Sequence, residues 1–195
     1  MTARDEQKEK RRQEILFSGL DLFIRKGYTG TTIKDISEAV GMSVGLMFHY
    51  FNSKEELYLE LVSLGIEGPM NTLQPSELEP MAFFEETAER ILTYIRTEPF
   101  FARMFVLMHQ AYYSEDIPVR VKDRLVGFDV YSPTADIIRR GQRNGTIRDG
   151  DPLALAVAYW SAIQGVAETL AGQTKLPCPE SKWIADILRK RQQEE

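Results

Sequence analysis

Apolar residues recur at three- and four-residue spacing along almost the whole chain, and no run alternates with a period of two between hairpin turns. That pattern predicts an all-α protein of about nine helices, since only a helix gathers residues so spaced onto one face. The chain's 195 residues, 43% hydrophobic and 27% charged, suffice for a small helical head followed by a larger helical body. Met1-Thr2-Ala3-Arg4-Asp5 leads into charged residues rather than an apolar run, so no secretory leader is expected. No stretch approaches about 18 uncharged apolar residues, so neither a membrane span nor a membrane partner is expected. The one cysteine, Cys178, excludes an internal disulfide framework and fits a reducing cytoplasm. Lying between Pro177 and Pro179, it reads as a loop thiol, with a sensing role as the alternative.

The first helix is expected from Asp5 to Lys26, with Ile15, Leu16, Gly19, Leu20, Leu22 and Phe23 on its apolar stripe and Gly27 as its stop. Thr32 with Asp35 forms a capping box for a second helix, whose stripe is Ile33, Ile36 and Val40 and which stops at Gly41. Ser43 caps a third helix reaching Tyr50, and Ser53 with Glu56 opens a fourth carrying Leu57, Leu61 and Leu64. Gly68-Pro69, Pro75 and Pro80 punctuate the segment after Leu64. Further helices are predicted over 80–97, 99–114, 118–143, 152–172 and 181–193, with Pro133 breaking or kinking the third of these. Two domains result, 1–54 and 55–195, joined within the fourth helix near Leu57 to Leu64.

The third helix is too short to persist alone, because nucleation is unfavourable and about 12 residues are needed for marginal stability in water. Met47 and Phe51, four residues apart, are placed to hold it against the first two helices. Val44, Leu46, Phe48 and Tyr50 are then left outward or at the edges, an apolar surface that calls for a partner. A DNA major groove is such a partner: it admits a helix, and apolar side chains can contact base edges there. In this reading Thr32, Ser43, His49, Tyr50 and Lys54 bond phosphates, while Val44, Gly45, Leu46 and Phe48 meet bases. Charge agrees in sign. Residues 1–54 hold nine Lys/Arg and seven Asp/Glu, a net of +2, against −7 for the remainder and −5 overall.

These residues also carry a family resemblance. Residues 10–57 resemble the DNA-binding head of the TetR family of helix-turn-helix transcriptional regulators. The matching segments are Phe23-Ile24-Arg25-Lys26-Gly27-Tyr28, Thr32 to Ile36, Val40-Gly41-Met42-Ser43-Val44-Gly45, and Phe48-His49-Tyr50-Phe51-Asn52-Ser53-Lys54-Glu55-Glu56-Leu57. Two positions depart from the family pattern, Leu46 standing for a common threonine and Phe48 for the usual tyrosine. Both departures remove a hydroxyl and shift the expected readout toward apolar contact. Beyond the head the likeness is one of layout, including Gly141-Gln142-Arg143-Asn144-Gly145 before a long apolar helix.

In the body, helix 152–172 is apolar on two sides, with Leu153, Ala156, Trp160, Ile163, Ala167 and Leu170 on one stripe and Leu155, Tyr159, Ala162 and Val166 on another. One side can face its own domain and the other a second copy. The resemblance implies a homodimer completed by the last helix through Trp183, Ile184, Ile187 and Leu188, and a two-fold dimer implies a palindromic DNA operator. Most aromatics over 80–114 are expected to be ordinary core. The resemblance implies that some of them line an effector cavity. The candidates are Phe84, Tyr94, Met104, Phe105, Met108, His109, Tyr112, Trp160 and Gln164, for an apolar or aromatic small molecule, with a cationic one as the alternative.

Other functions find less footing. Gly41-Met42-Ser43-Val44-Gly45 matches the Gly-x-Ser-x-Gly nucleophile elbow, but that motif needs a preceding strand and here follows a helical pattern. No catalytic residue, metal ligand set or cofactor is therefore expected; His49 lacks a second ligand at i+4. The cations Lys8, Lys10, Arg11 and Arg12, interleaved with Glu6, Glu9 and Glu14, suit either a solvated face or phosphate contacts. The rival function is a dimeric protein-binding adaptor that uses the Phe48–Tyr50 surface.

Overall fold

The computed structural model describes residues 2–73 and 77–190. Pro75 and the end of the predicted last helix, 191–193, lie outside the described residues. Among the described residues there are ten helices: α1 Ala3–Gly30, α2 Ile33–Ala39, α3 Val44–Met47, α4 Lys54–Thr72, α5 Pro80–Thr97, α6 Pro99–Tyr113, α7 Val119–Val126, α8 Tyr131–Arg143, α9 Pro152–Gly172 and α10 Ser181–Ala185. Extended pairing among them is limited to an isolated antiparallel bridge between Ile147 and Arg189. The chain folds as two compact units, Met1–Ile66 with Arg103–Gly127, and Glu67–Ala102 with Phe128–Glu195.

In the first unit, Ile15, Leu20, Phe23, Ile36, Met47, Phe51, Leu57 and Leu61 are sealed from solvent and form the core on which α1 to α4 converge. Gly27 interrupts α1 with φ 71°, a conformation open to glycine without steric penalty, so the regular run ends where the sequence predicts and Tyr28 to Gly30 form one more turn. The carbonyls freed there find donors. The Thr31 hydroxyl, fully buried, donates to Gly27 O at 2.8 Å and lies 3.2 Å from Leu22 O.

In the second unit, α9 lies against α5, α8 and α10. Ala156, Tyr159, Trp160, Ile163 and Ala167 face inward; Tyr159 donates its hydroxyl to Phe84 O and Trp160 its indole N–H to the Thr134 hydroxyl, both at 2.8 Å. This corrects the stripe assignment, because Tyr159 shares the buried face with Trp160. The opposite face exposes Leu153, Val157, Ala158, Ser161 and Gly165. By length and composition α9 could also cross a membrane; the expectation that no such stretch exists counted uncharged residues only, and Glu168 interrupts the run.

Two further expectations change. The predicted helix 118–143 is two helices, and the break falls at Gly127 to Val130 rather than at Pro133. Asp129 accepts the Tyr131 and Ser132 amides at 2.8 and 3.0 Å and starts α8, so Pro133 sits in a first turn where its missing N–H is harmless. The last helix ends at Ala185. Its continuation turns so that Leu188 O accepts the Arg148 amide at 2.9 Å, which buries Leu188 and leaves Trp183 56% exposed.

Candidate nucleic-acid interface

The candidate interface is built on α2, α3 and the turn between them. Thr32 caps α2 through a complete capping box. Its hydroxyl accepts the Asp35 amide at 3.1 Å, and the Asp35 carboxylate accepts the Thr32 amide at 2.8 Å. Lys26 adds an ion pair at 2.8 Å, and that bond, followed by those from Thr32, holds the Asp35 carboxyl well below the usual carboxylate range. Gly41, at φ 66°, turns the chain after α2, and Met42 N–H closes the turn on Ser37 O at 2.8 Å. Ser43 then caps α3, its hydroxyl accepting the Leu46 amide at 3.2 Å.

α3 is shorter than the sequence suggests. Two i→i−4 bonds hold it, Met47 N to Ser43 O at 3.1 Å and Phe48 N to Val44 O at 3.4 Å, before tightened turns carry the chain to Phe51. The helix stops early because Phe51 must swing inward and the next helix opens at once: Ser53 Oγ accepts the Glu56 amide at 3.0 Å, and the Glu56 carboxylate accepts the Asn52 amide at 2.8 Å. Met47 and Phe51 are 0% and 1% exposed, while Val44, Leu46 and Phe48 are 39%, 44% and 48% exposed. Gly45 and His49, placed two residues either side of Met47, are also exposed, and Tyr50 is half-buried. Ser43, Val44, Gly45, Leu46, Phe48, His49 and Tyr50 thus follow one another along one short segment, and Thr32 is exposed at the start of α2.

Lys54 has an internal role that the sequence does not display. Its ammonium donates to Tyr28 O at 2.7 Å and Thr31 O at 2.8 Å, and lies 4.1 Å from the centre of the Tyr28 ring. Two of its three donors therefore tie the start of α4 to the end of α1, and burial pulls its pKa down. Tyr28 and Phe23 pack edge-on against Tyr58, whose burial pushes its phenol up to about 12. Arg12 also has an internal role: its guanidinium lies 5.0 Å over the Phe51 ring and pairs with Glu60 of α4. Arg11 pairs with Glu14 at 2.6 Å, whereas Arg4, Lys8 and Lys10 stand on the exposed first turns of α1. No sequence spacing points to the supports made by Arg12, Tyr28 and Thr31, because each joins segments far apart in the chain.

The effector candidates are dispersed in character. Phe84, Met104 and Trp160 are buried, with Trp160 bonded to Thr134. Phe105 and Met108 are half-buried, and half-buried Gln164 donates to Glu168. Tyr94 and Tyr112 are 47% and 64% exposed, and His109 is exposed with its ring 4.9 Å from that of Tyr113. The first unit has a cleft of about 310 Å³ bordered by Phe17, Asp21, Arg25 and Arg103, and the second a cleft of about 490 Å³ bordered by Gly165, Val166, Leu176 and Ile184. None of the nine candidates borders either. Cys178 is half-buried, and burial raises its thiol pKa.

Comparison with known proteins places the head. Residues 15–61 match the family described as "Bacterial regulatory proteins, tetR family". The HTH-type transcriptional repressor AcnR of Corynebacterium efficiens is 33% identical over 120 residues, covering 56% of this chain and 63% of AcnR. The HTH-type transcriptional regulator RutR of Escherichia coli O157:H7 is 25% identical over 163 residues, covering 81% of this chain and 74% of RutR. The chain spans less than two thirds of the length of several curated relatives, AcnR among them. The fold is shared with the TetR family transcriptional regulator PfmR of Thermus thermophilus, with a TM-score of 0.68 at 22% identity over 89% of this chain and 96% of PfmR.

Proposed function

We propose that this chain, whose residues 15–61 match the TetR family of helix-turn-helix regulators, is a transcriptional repressor that binds double-stranded DNA as a homodimer and leaves a palindromic operator when a small molecule binds its body. The observation that carries this reading is the two-sidedness of α3: Met47 and Phe51 anchor one side, and Val44, Leu46 and Phe48 stand open on the other. Thr32, Ser43, His49 and Tyr50 contact phosphates, Lys54 contributes its remaining donor, and Val44, Gly45, Leu46 and Phe48 meet bases. The cations on the first turns of α1 add sequence-independent attraction.

The open apolar face of α9 is the proposed dimer contact, and two-fold symmetry then requires half-sites separated by one or more helical turns. The effector is an apolar or aromatic small molecule bound within the helical body. It acts by favouring a conformation with the two heads wrongly spaced, and its effect cannot exceed its differential affinity for the two states. The setting is the bacterial cytoplasm, and the function is binding rather than catalysis.

An electrophoretic mobility shift with DNA from upstream of the chain's own gene tests the reading. A regulator binds one segment with a Kd on the order of 10 nM or tighter at physiological salt. Weak binding that is equal for all sequences points instead to a protein-binding adaptor.

A further inference from the structure

We infer that this head selects bases through the C5-methyl groups of thymine, by apolar contact from Val44, Leu46 and Phe48, and that hydrogen bonding at the helix is confined to its two ends. This rests on the DNA-binding reading above and names what that surface recognises. The three side chains are 39%, 44% and 48% exposed, and none carries a hydrogen-bond donor or acceptor. Gly45, between them, brings no side chain. The hydrogen-bonding side chains flank the helix: Ser43 at its start, where the hydroxyl already accepts the Leu46 amide at 3.2 Å, and His49 and Tyr50 beyond its end.

In the major groove guanine offers two acceptors, adenine an acceptor and a donor, and cytosine a donor; thymine alone adds a methyl group. An apolar side chain pressed on any of the first three removes hydration and returns no hydrogen bond, which is unfavourable. The same side chain on a thymine methyl removes apolar surface from water on both partners. An apolar helix face therefore both favours thymine and disfavours the other bases. Three such side chains correspond to about two or three contacted thymines in each half-site.

The test uses the full-length chain and a duplex selected from a random pool at physiological salt. Each thymine of a half-site is replaced singly by uracil, which differs only in lacking the methyl, and affinity is read by fluorescence anisotropy. Affinity is expected to fall about fourfold at each contacted position, the loss set by burial of one methyl-sized group. 5-Bromouracil, whose bromine fills the methyl's place, should restore it. In Leu46→Ala, which melts like the parent because the position is exposed, one of those positions should become indifferent to the thymine-to-uracil change. A selected duplex that binds equally well with uracil at every position overturns the inference while the regulator reading stands. So does a duplex that is indifferent to uracil but weakened by 7-deazaguanine, which would place recognition on purine hydrogen bonds. A random pool that yields no sequence preference overturns the DNA-binding reading on which the inference rests.

Discussion

Replacing Met47 by alanine removes the inner support of α3. The side chain is fully buried, and truncating a buried methionine typically costs about 2–5 kcal/mol through lost burial and the cavity left behind. The helix above it has four residues and two i→i−4 bonds, and no helix so short survives alone. The loss should therefore appear first as local opening of residues 43–51 rather than as global unfolding. Even the lower figure multiplies the open population roughly thirtyfold. Amide hydrogen exchange at Met47, Phe48, Tyr50 and Phe51 reads that population directly. Met47→Leu, which conserves volume, should cost less than about 1.5 kcal/mol. Leu46→Ala, on the exposed side, should change stability by no more than about 0.5 kcal/mol. Unchanged exchange in Met47→Ala, with faster exchange in Leu46→Ala, would mean that the helix faces the other way.

Three other outcomes are expected. Lys54→Ala should lower stability by about 1–2 kcal/mol, since two carbonyls of the α1 terminus lose a charged donor at a partly exposed site, and should reduce the salt slope of DNA binding by about one; calorimetry and salt titration check the two effects separately. Gly65→Ala drives a methyl into Met108, against its Sδ and 2.6 Å from its Cγ, which should cost about 1–3 kcal/mol in thermal denaturation, and adding Met108→Ala should recover much of the loss. Asp35, its carboxyl held low by Lys26 and Thr32, stabilises α2 above the unfolded carboxylate pKa of about 3.9, and that contribution fades as pH falls toward the folded value. The gap between the melting temperatures of the parent and Asp35→Asn should thus be full at about pH 6 and begin to narrow below about pH 4, without closing until the folded carboxyl is itself protonated; a gap that stays constant below about pH 4 would refute the linkage.

Much of the head was legible because its signals are local. Thr32 with Asp35 and Ser53 with Glu56 lie three residues apart, and the positions of Met47 and Phe51 follow from helical spacing alone. What escaped is non-local. Lys54 meets carbonyls 23 and 26 residues away, and Arg12 reaches Glu60 across 48 residues, so each also ties the fold together, a role that no local spacing displays. The two apolar stripes of α9 were visible, but their division was not, because Tyr159 and Trp160 are adjacent and both reach inward. In the 118–143 segment Pro133 is the residue whose chemistry predicts a break, yet Asp129 sets the helix start and the proline occupies its first turn.

The central claim is that the outward side of α3 enters a duplex groove. A photo-crosslinker attached at position 46, through Leu46→Cys in a Cys178→Ser background, tests it on the selected duplex. The expected product is a covalent link to a base within each half-site, formed from its major-groove edge. Undiminished sequence-specific binding with crosslinks only to sugar–phosphate, or with none, would contradict it.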